Sequence, residues 1–301
     1  MNLTRIAPTP SGFLHEGNWF SFLLTLALAR KWKARIGLRI DDLDQIRYRD
    51  SYLQDIHRTV SELGLFEAGQ ERTASPPAIL YQSQRTEAYE SALNTLRLSG
   101  RVYPSTQSRT HRRDRNRERD CLHGPAWEEA MDHPLASWWM RVDRPYLAEC
   151  HTGWDEGGTS SIQVTGDYMI RRKPEPGPHP GPALPSTHLA SLIDDRAWGT
   201  THVVRGQDLL ESTAIQIHLN TVLTGPEQEQ FARIKWVHHP LLTHPDGRKL
   251  SKSAGARGVS LFHEFNTARI LNRVMDLMAL TVQEPWLTLA KAEADRINAV
   301  P

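Results

Sequence analysis

PTPSGFLHEGN, at residues 8–18, decides the fold of this 301-residue chain. A short apolar run at residues 3–7 precedes it, and apolar side chains at helical spacing follow it at residues 17–32. A second apolar run at residues 36–40 completes the order strand, glycine-bearing loop, helix, strand, which is typical of a βαβ unit. Parallel α/β sheets bind their ligands beyond the carboxyl ends of the strands. The loop is therefore predicted to carry a ligand site.

The residue types in this loop favour an anionic ligand. Gly12 and Gly17 allow a tight turn and a close approach of the backbone to a ligand. The helix that follows presents unpaired N–H groups and the positive end of its dipole. We expect His15 and Asn18 to donate hydrogen bonds to phosphate oxygens. A strand–turn–helix with an incidental histidine is the alternative for this string taken alone.

A second motif, KLSKS at residues 249–253, lies near the end of the chain. Lys249 and Lys252 place two ammonium groups close together, with Ser251 between them. Cations stabilise the charge that builds on a leaving pyrophosphate, so this motif suits a triphosphate. A solvated basic loop is the alternative for this string alone. Both motifs together predict a nucleotide-activating site that is assembled from the two ends of the chain.

Composition limits the class of protein. The net charge is +1, so any contact with nucleic acid must come from local patches rather than from a global positive field. No stretch approaches the ~20 apolar residues of a membrane span, and the first residues do not form a signal peptide. Cys121 and Cys150 alone do not make a disulfide framework. We expect a cytoplasmic, monomeric protein without membrane contact.

Periodicity outlines the rest of the chain. It predicts helices at residues 51–63, 89–98 and 211–223 and after residue 261, and strands at residues 188–193 and 201–205. With this assignment, Asp194 and Asp195 are interpreted as polar residues at a strand end. Residues 174–185 are rich in proline and predict a stiff, exposed loop.

Residues 102–146 lose this periodicity and contain closely spaced arginines, so we interpret them as an insertion. The arginines either contact nucleic-acid phosphates or belong to a solvated loop of mixed charge. The expected division of the chain has four parts: residues 1–101, the first half of a catalytic domain; 102–146, the insertion; 147–223, the second half; and 224–301, the second motif and a helical segment.

The two motifs resemble the signatures of the class I aminoacyl-tRNA synthetases, His-x-Gly-His (or Asn) and Lys-Met-Ser-Lys-Ser. Other strings narrow the likeness to the glutamyl-tRNA synthetase catalytic domain: RIAPTPSG at 5–12, LRIDDLD at 38–44, YQSQR at 81–85, HLA at 188–190 and VVRG at 203–206. The likeness fails inside the insertion. At 301 residues we expect no anticodon-binding region like that of the full family members, and in this respect the chain is similar to the glutamyl-queuosine tRNA(Asp) synthetases.

The resemblance implies an α/β fold: a Rossmann-type, doubly wound parallel sheet with an inserted acceptor-end subdomain and a short helical carboxyl-terminal segment. It also implies a reaction in two steps. Glutamate attacks the α-phosphate of ATP, with Mg²⁺ present, and the aminoacyl group then passes to a hydroxyl of tRNA, which is on a modified base in the glutamyl-queuosine enzymes.

The resemblance assigns two groups of residues. The residues assigned to ATP binding are Pro8, Gly12, His15, Gly17, Asn18, Lys249, Ser251 and Lys252. Four of these, His15, Asn18, Lys249 and Lys252, are assigned as catalytic. The residues assigned to amino-acid binding are Arg5, Ala7, Thr9, Asp41, Thr187 and Arg205.

Three departures from the family pattern concern the substrate and a metal. The family has glutamate where Asp41 lies and tyrosine where Thr187 lies, so the amino-acid pocket differs. Short relatives bind zinc through a Cys-x-Cys pair, but this chain has Ser105 and Gln107 there. Serine and glutamine are poor zinc ligands compared with thiolate, and Cys121 with His123 does not complete a tetrahedral site, so we expect no structural zinc.

Three other functions stay open at this point. A stand-alone adenylate-forming enzyme with another amino acid or a non-tRNA acceptor fits the departures at Asp41 and Thr187. A catalytically silent tRNA-binding paralogue fits the fold, although the intact KLSKS string argues against it. A nucleotidylyltransferase shares a similar histidine motif, but it leaves the strings at residues 5–12 and 39–44 unexplained.

Overall fold

The structure is a computed structural model that describes residues 1–65, 79–106, 125–152, 159–173, 184–243 and 259–299. Its strands, in chain order, are β1 (Leu3–Ile6), β2 (Arg35–Ile40), β3 (Ile79–Tyr81), β4 (Val102–Ser105), β5 (Ser137–Met140), β6 (Tyr146–Thr152), β7 (Thr159–Val164), β8 (Tyr168–Arg171), β9 (His202–Gly206) and β10 (Lys235–His239). Its α-helices are α1 (Glu16–Lys31), α2 (Asp50–Glu62), α3 (Thr86–Leu98), α4 (Pro125–Asp132), α5 (Thr187–Trp198), α6 (Leu210–Val222), α7 (Gln228–Ala232), α8 (Thr267–Thr281) and α9 (Trp286–Asn298).

A three-stranded parallel sheet, in the order β1-β2-β3, forms the amino-terminal half. Helix α1 joins β1 to β2, as the first motif predicts, and α2 follows β2. Ten of the sixteen residues of α1 are buried, since the helix packs on the sheet and is covered from outside by α8 and α9. The predicted βαβ unit is confirmed.

A four-stranded sheet, in the order β7-β6-β10-β9, forms the second half. Strands β9, β10 and β6 are parallel, and only the edge strand β7 runs antiparallel. This sheet lies beside β1, because the Leu3 N–H donates to Thr201 Oγ1 at 2.8 Å and the Thr201 N–H donates to the Leu3 carbonyl at 2.9 Å. The parallel α/β class is confirmed, and the strand order reverses between β1 and β9.

A third sheet, β4-β5-β8, is antiparallel and lies where the insertion is expected. Helix α4 packs beside it, and Arg97 of α3 is paired with Asp132 and Glu128 of α4. Strand β8 comes from beyond residue 146, so the sheet crosses the expected end of the insertion. The division of the chain into four parts stays a prediction.

The prediction of a strand at residues 188–193 is wrong. These residues lie in α5, whose first turn is capped by Ser186 Oγ accepting from the Leu189 N–H at 3.3 Å. A six-residue stretch with four apolar residues fits either a strand or a buried helix, and here the Ser186 cap sets the helix. Asp194 and Asp195 are therefore buried in a helix and do not lie at a strand end. Helix α5 approaches β2 closely at Gly37, where a Cβ would lie 2.8 Å from the Trp198 ring.

The carboxyl-terminal segment is helical, as predicted, and it packs on α1. Glu293 of α9 is buried and accepts hydrogen bonds from Arg30 of α1 and from Arg296. Met278, Ala290 and Ala294 complete the apolar contact with the main core. In the parts of the chain that the structure describes, no helix has the length and apolar character that a bilayer crossing requires.

Candidate active site

The first motif caps the amino terminus of α1. His15 is the cap residue: its Nδ1 accepts from the Gly17 N–H at 3.1 Å, and its own N–H donates to Asn18 Oδ1 at 3.0 Å. Because Nδ1 accepts a hydrogen bond, a neutral imidazole carries its proton on Nε2. The cap therefore fixes the tautomer in which Nε2 donates, as a phosphate oxygen requires.

Gly17 is required by the position of the His15 ring. A Cβ at residue 17 would lie 2.9 Å from His15 Cε1 and 3.0 Å from Nδ1, which is too close for either atom to remain in place. The rest of the loop follows β1 closely. Pro8 is buried, its carbonyl accepts from the Asp41 N–H at 3.0 Å, and Ala7, Thr9 and Gly12 are half-buried around it.

A buried charge cluster lies at the carboxyl ends of β1, β2 and β9, behind this loop. We define it by five buried side chains, Arg5, Arg39, Asp194, Asp195 and Arg205, and by the partly exposed Asp41. In it, Arg5 donates to both carboxylate oxygens of Asp195, at 2.9 and 3.3 Å. Burial alone would raise the pKa of Asp195, but Arg5 and Arg39 outweigh burial and hold that pKa below its usual value. Arg5 is thus held by a carboxylate of the protein itself.

Arg39 connects Asp41, which follows β2, with helix α5. Its Nε and Nη2 donate to the Asp41 carboxylate at 2.6 and 3.1 Å, and Nη2 also donates to Ser191 Oγ of α5 at 2.9 Å. Residues 39 and 41 lie on the same face of one extended segment, so the pair forms locally. Burial nevertheless raises the pKa of Asp41, with Arg39 acting against it.

Asp194 is fully buried beside this pair. It accepts hydrogen bonds from Gln82 Nε2 at 2.8 Å, from Arg85 Nε at 2.7 Å and from the Tyr89 hydroxyl at 2.9 Å. These three donors belong to the YQSQR string and to α3. The string thus serves to hold Asp194, which connects α3 to the site.

Arg205 is the exception in the charge cluster. Its Nη2 donates to neutral oxygens, Thr213 Oγ1 and Gln216 Oε1, and its buried Nε has no hydrogen-bond partner. Among the residues that the structure describes, no carboxylate pairs with it. Burial, and then the proximity of Arg5, lower the pKa of Arg205 to about 9. The free protein therefore holds a desolvated guanidinium that an anionic ligand would stabilise.

Two histidines next to Arg205 are neutral. Burial and the charge of Arg205 lower the pKa of His188 to about 4 and that of His238 to about 3. His238 Nε2 lies 2.7 Å from Thr213 Oγ1, the oxygen that accepts from Arg205. Since this hydroxyl donates its only proton to the Leu209 carbonyl, it accepts from both neighbours, and His238 carries its proton on Nε2.

The remaining expected residues lie at different places. Thr187 is exposed on the first turn of α5. Lys249, Ser251 and Lys252 lie outside the described residues, as do Gln107, Cys121 and His123, so these expectations stay predictions. Within the described ranges, no three His, Cys, Asp or Glu side chains form a group that could hold a metal ion.

Sequence analysis missed several members of the site. Arg39 and His238 had no assigned role, and the pairing of Asp195 with Arg5 joins residues from opposite halves of the chain. The one available signal was the density of charge in LRIDDLD, because a charged residue in an otherwise buried strand needs a partner. The partners themselves come from other elements and leave no local pattern.

Comparisons with known proteins agree with this architecture. Residues 2–142 match the family model described as tRNA synthetases class I (E and Q), catalytic domain. The chain is 32% identical to a glutamyl-Q tRNA(Asp) synthetase of Methylococcus capsulatus, over 96% of this chain and 87% of that protein. It is also 32% identical to glutamate–tRNA ligase 2 of Dinoroseobacter shibae, but it spans only 56% of that protein. A solved glutamate tRNA ligase of Elizabethkingia meningosepticum shares the fold, with a TM-score of 0.69 at 19% identity over 99% of this chain and 68% of that one.

Proposed function

The chain belongs to the class I tRNA synthetases of the E and Q type, and from this premise we propose that it activates glutamate with ATP and transfers the glutamyl group to tRNA. The observation that carries the proposal is Arg205, a buried guanidinium that pairs with no carboxylate of the described chain. An amino acid with two carboxylates supplies the missing negative charge. The glutamyl-Q tRNA(Asp) synthetases are the favoured model, because the chain spans 87% and 92% of two of them.

In the proposed pocket, Arg205 binds a glutamate carboxylate through its guanidinium fork. Arg5 borders the pocket and is oriented by Asp195. Asp41 faces the substrate ammonium group, and its distance from the substrate depends on Arg39, which holds it at 2.6 Å. Ala7, Thr9 and Thr187 contribute the remaining wall. The fully paired parts of the cluster keep these groups rigid before the substrate arrives.

In the proposed nucleotide site, the amino terminus of α1 receives the phosphates. His15 Nε2 donates to a phosphate oxygen, with the Asn18 amide beside it, while Pro8, Gly12 and Gly17 allow the close approach. Lys249 and Lys252 neutralise the pyrophosphate as it leaves, and the Ser251 hydroxyl donates a hydrogen bond to it. The chemistry needs positioning and charge stabilisation rather than a protein nucleophile. Mg²⁺ bound to the ATP phosphates would supply further charge stabilisation at the leaving pyrophosphate.

We further infer that the two sheets joined at Leu3 and Thr201 act as the halves of one doubly wound, Rossmann-type sheet. The β4-β5-β8 sheet and the arginine-rich stretch that follows β4 in the sequence are the proposed contact for the acceptor end of tRNA. In that arrangement the insertion delivers the accepting hydroxyl to the adenylate at the carboxyl ends of β1 and β9.

The test is ATP–pyrophosphate exchange with each of the twenty amino acids, with and without tRNA. Glutamate is expected to give the highest rate. Exchange with another amino acid, and none with glutamate, would contradict the assigned substrate. Transfer is then measured with labelled glutamate on tRNA(Asp) with and without queuosine and on tRNA(Glu). Labelling only of queuosine-containing tRNA(Asp) supports the glutamyl-Q function, whereas labelling of tRNA(Glu) at its 3′ end would contradict it.

A further inference from the structure

Asp55, on α2, connects two segments that are far apart in the chain. Its Oδ2 accepts from the Leu14 N–H at 2.9 Å, and its Oδ1 accepts from the Ser260 hydroxyl. Both side chains are buried, with 6% of Asp55 and 9% of Ser260 exposed. Each carboxylate oxygen thus holds one of the two segments.

Each of these segments adjoins a motif. Leu14 immediately precedes His15, and it is itself only 3% exposed. Ser260 lies shortly after the KLSKS string and begins a turn of 3-10 helix, where its Oγ accepts from the Phe262 N–H at 3.2 Å. The carboxylate therefore sets the distance between the loop of the first motif and Ser260, the second residue that the structure describes after the second motif.

Contacts around Asp55 strengthen this connection on both sides. Phe262 packs edge-on against Trp19 of α1, with ring centroids 5.7 Å apart, and the Arg58 guanidinium of α2 lies 3.9 Å above its ring. On the other side of the second motif, His239 Nε2 at the end of β10 lies 3.0 Å from Ser21 Oγ of α1. The described residues that precede and follow the second motif in the chain thus contact elements that carry or flank the first motif.

We propose that Asp55 is a positioning residue for adenylate formation, acting by holding Leu14 and Ser260 in one fixed arrangement. The proposal rests on the function proposed above, because it concerns how the two motifs meet around one triphosphate. A buried carboxylate is costly to desolvate, and an apolar residue would fill the same space on α2 at lower cost. Two hydrogen bonds that fix the geometry of a reacting site are a specific reason to keep it, since displacements of about 1 Å can lower a rate by about a hundredfold.

The test compares Asp55→Ala, Asp55→Asn and Ser260→Ala with Thr267→Val. Thr267 provides a control, because its hydroxyl donates to Glu62, also on α2 and also 205 positions away in the chain, and neither residue adjoins a motif in the sequence. We expect Asp55→Ala and Ser260→Ala to lower kcat for ATP–pyrophosphate exchange about tenfold and to raise KM for ATP by about threefold, because misalignment weakens ATP binding but is felt mainly in the transition state. Thr267→Val should stay near the wild type.

Asp55→Asn is the conservative variant. Its amide oxygen still accepts from the Leu14 N–H and its amide nitrogen can donate to Ser260 Oγ. We therefore expect this variant, unlike Asp55→Ala, to retain most of the wild-type kcat. All assays are run well below the melting temperature of every variant, so that partial unfolding does not enter the rate. Values of kcat for Asp55→Ala and Ser260→Ala equal to that of Thr267→Val would overturn the proposal.

Failure of the proposed function is detected separately, by an absence of exchange in the wild-type protein with any amino acid. In that case the dissociation constant for ATP, measured by calorimetry on the same variants, decides the question of Asp55. Weaker ATP binding in Asp55→Ala than in Thr267→Val supports the positioning role. Equal dissociation constants in these two variants would overturn it.

Discussion

Arg5 and Asp195 are separated by 190 positions in the chain, and the Arg5 guanidinium donates to both oxygens of the Asp195 carboxylate. The two side chains are 5% and 0% exposed, so this ion pair is fully desolvated. It fixes β1 to α5 at the point where the strand order reverses.

Replacing Asp195 by Asn should destabilise the protein strongly. Arg5 would then be buried without a charge partner, and breaking a buried pair in this way typically costs about 3–5 kcal/mol. The measurement is the free energy of unfolding in urea. Glu229→Gln, which removes an exposed pair with Arg233, should change little and serves as the control. Equal effects of the two variants would show that Asp195 and Arg5 do not act as a buried pair.

Replacing Arg205 by Gln should separate activity from stability. The variant loses the charged fork for the substrate, so kcat/KM for glutamate should fall about a hundredfold or more. It also removes a buried cation that has no carboxylate partner in the described chain, so the melting temperature should stay unchanged or rise. A variant with a lower melting temperature and an unchanged KM for glutamate would instead assign Arg205 a structural role.

Replacing Gly17 by Ala should displace the His15 ring. The added methyl group would lie 2.9 Å from His15 Cε1, and the ring has to move to relieve the contact. We expect kcat for ATP–pyrophosphate exchange to fall about tenfold, while the helix itself tolerates alanine well. Gly166→Ala is the matched control, since no atom lies within 4 Å of its added Cβ. Full activity in the Gly17 variant would show that the ring position does not matter.

The stability of the protein should fall as the pH falls from 7 to 5.5, in part because of His238. Its pKa is about 3 in the folded protein and near 6.5 in the unfolded chain, so only the unfolded chain takes up a proton over this range. Between pH 6.5 and 5.5 this contributes about 1 kcal/mol of lost stability. His238→Gln should show a shallower decline in melting temperature. Raised pKa values of Asp41 and Asp55 act in the opposite direction in both proteins, and identical slopes would contradict the prediction.

Local sequence patterns predicted the secondary structure correctly where an element is long or is followed by a motif. The helix after residue 17 and the parallel strands around it are examples, because the sixteen largely apolar residues of α1 are too many for a strand. The same method failed at residues 188–193, where a short apolar run fits two periods and the Ser186 cap decides between them. The expected roles of the site residues stay predictions.

The charge cluster was beyond sequence analysis for a different reason. Arg39, Asp195 and Arg205 come from three separate elements, and each looks like an ordinary polar residue in its own segment. Their burial results from tertiary packing, and the partner that neutralises each charge cannot be read from its sequence neighbours. The resemblance assigned Arg5 and Arg205 to the amino-acid site, but it did not show that Asp195 forms an ion pair with Arg5.

The contact between Leu3 and Thr201 constrains the order of folding during synthesis on the ribosome. Strand β1 is made first, but its neighbour β9 does not exist until two thirds of the chain has been translated. Until then the nascent chain has an open strand edge and an arginine, Arg5, without its counter-ion. Open strand edges pair readily with other chains, so chaperones are expected to bind the emerging amino-terminal half. Fragments that end before β9 should aggregate when they are expressed alone.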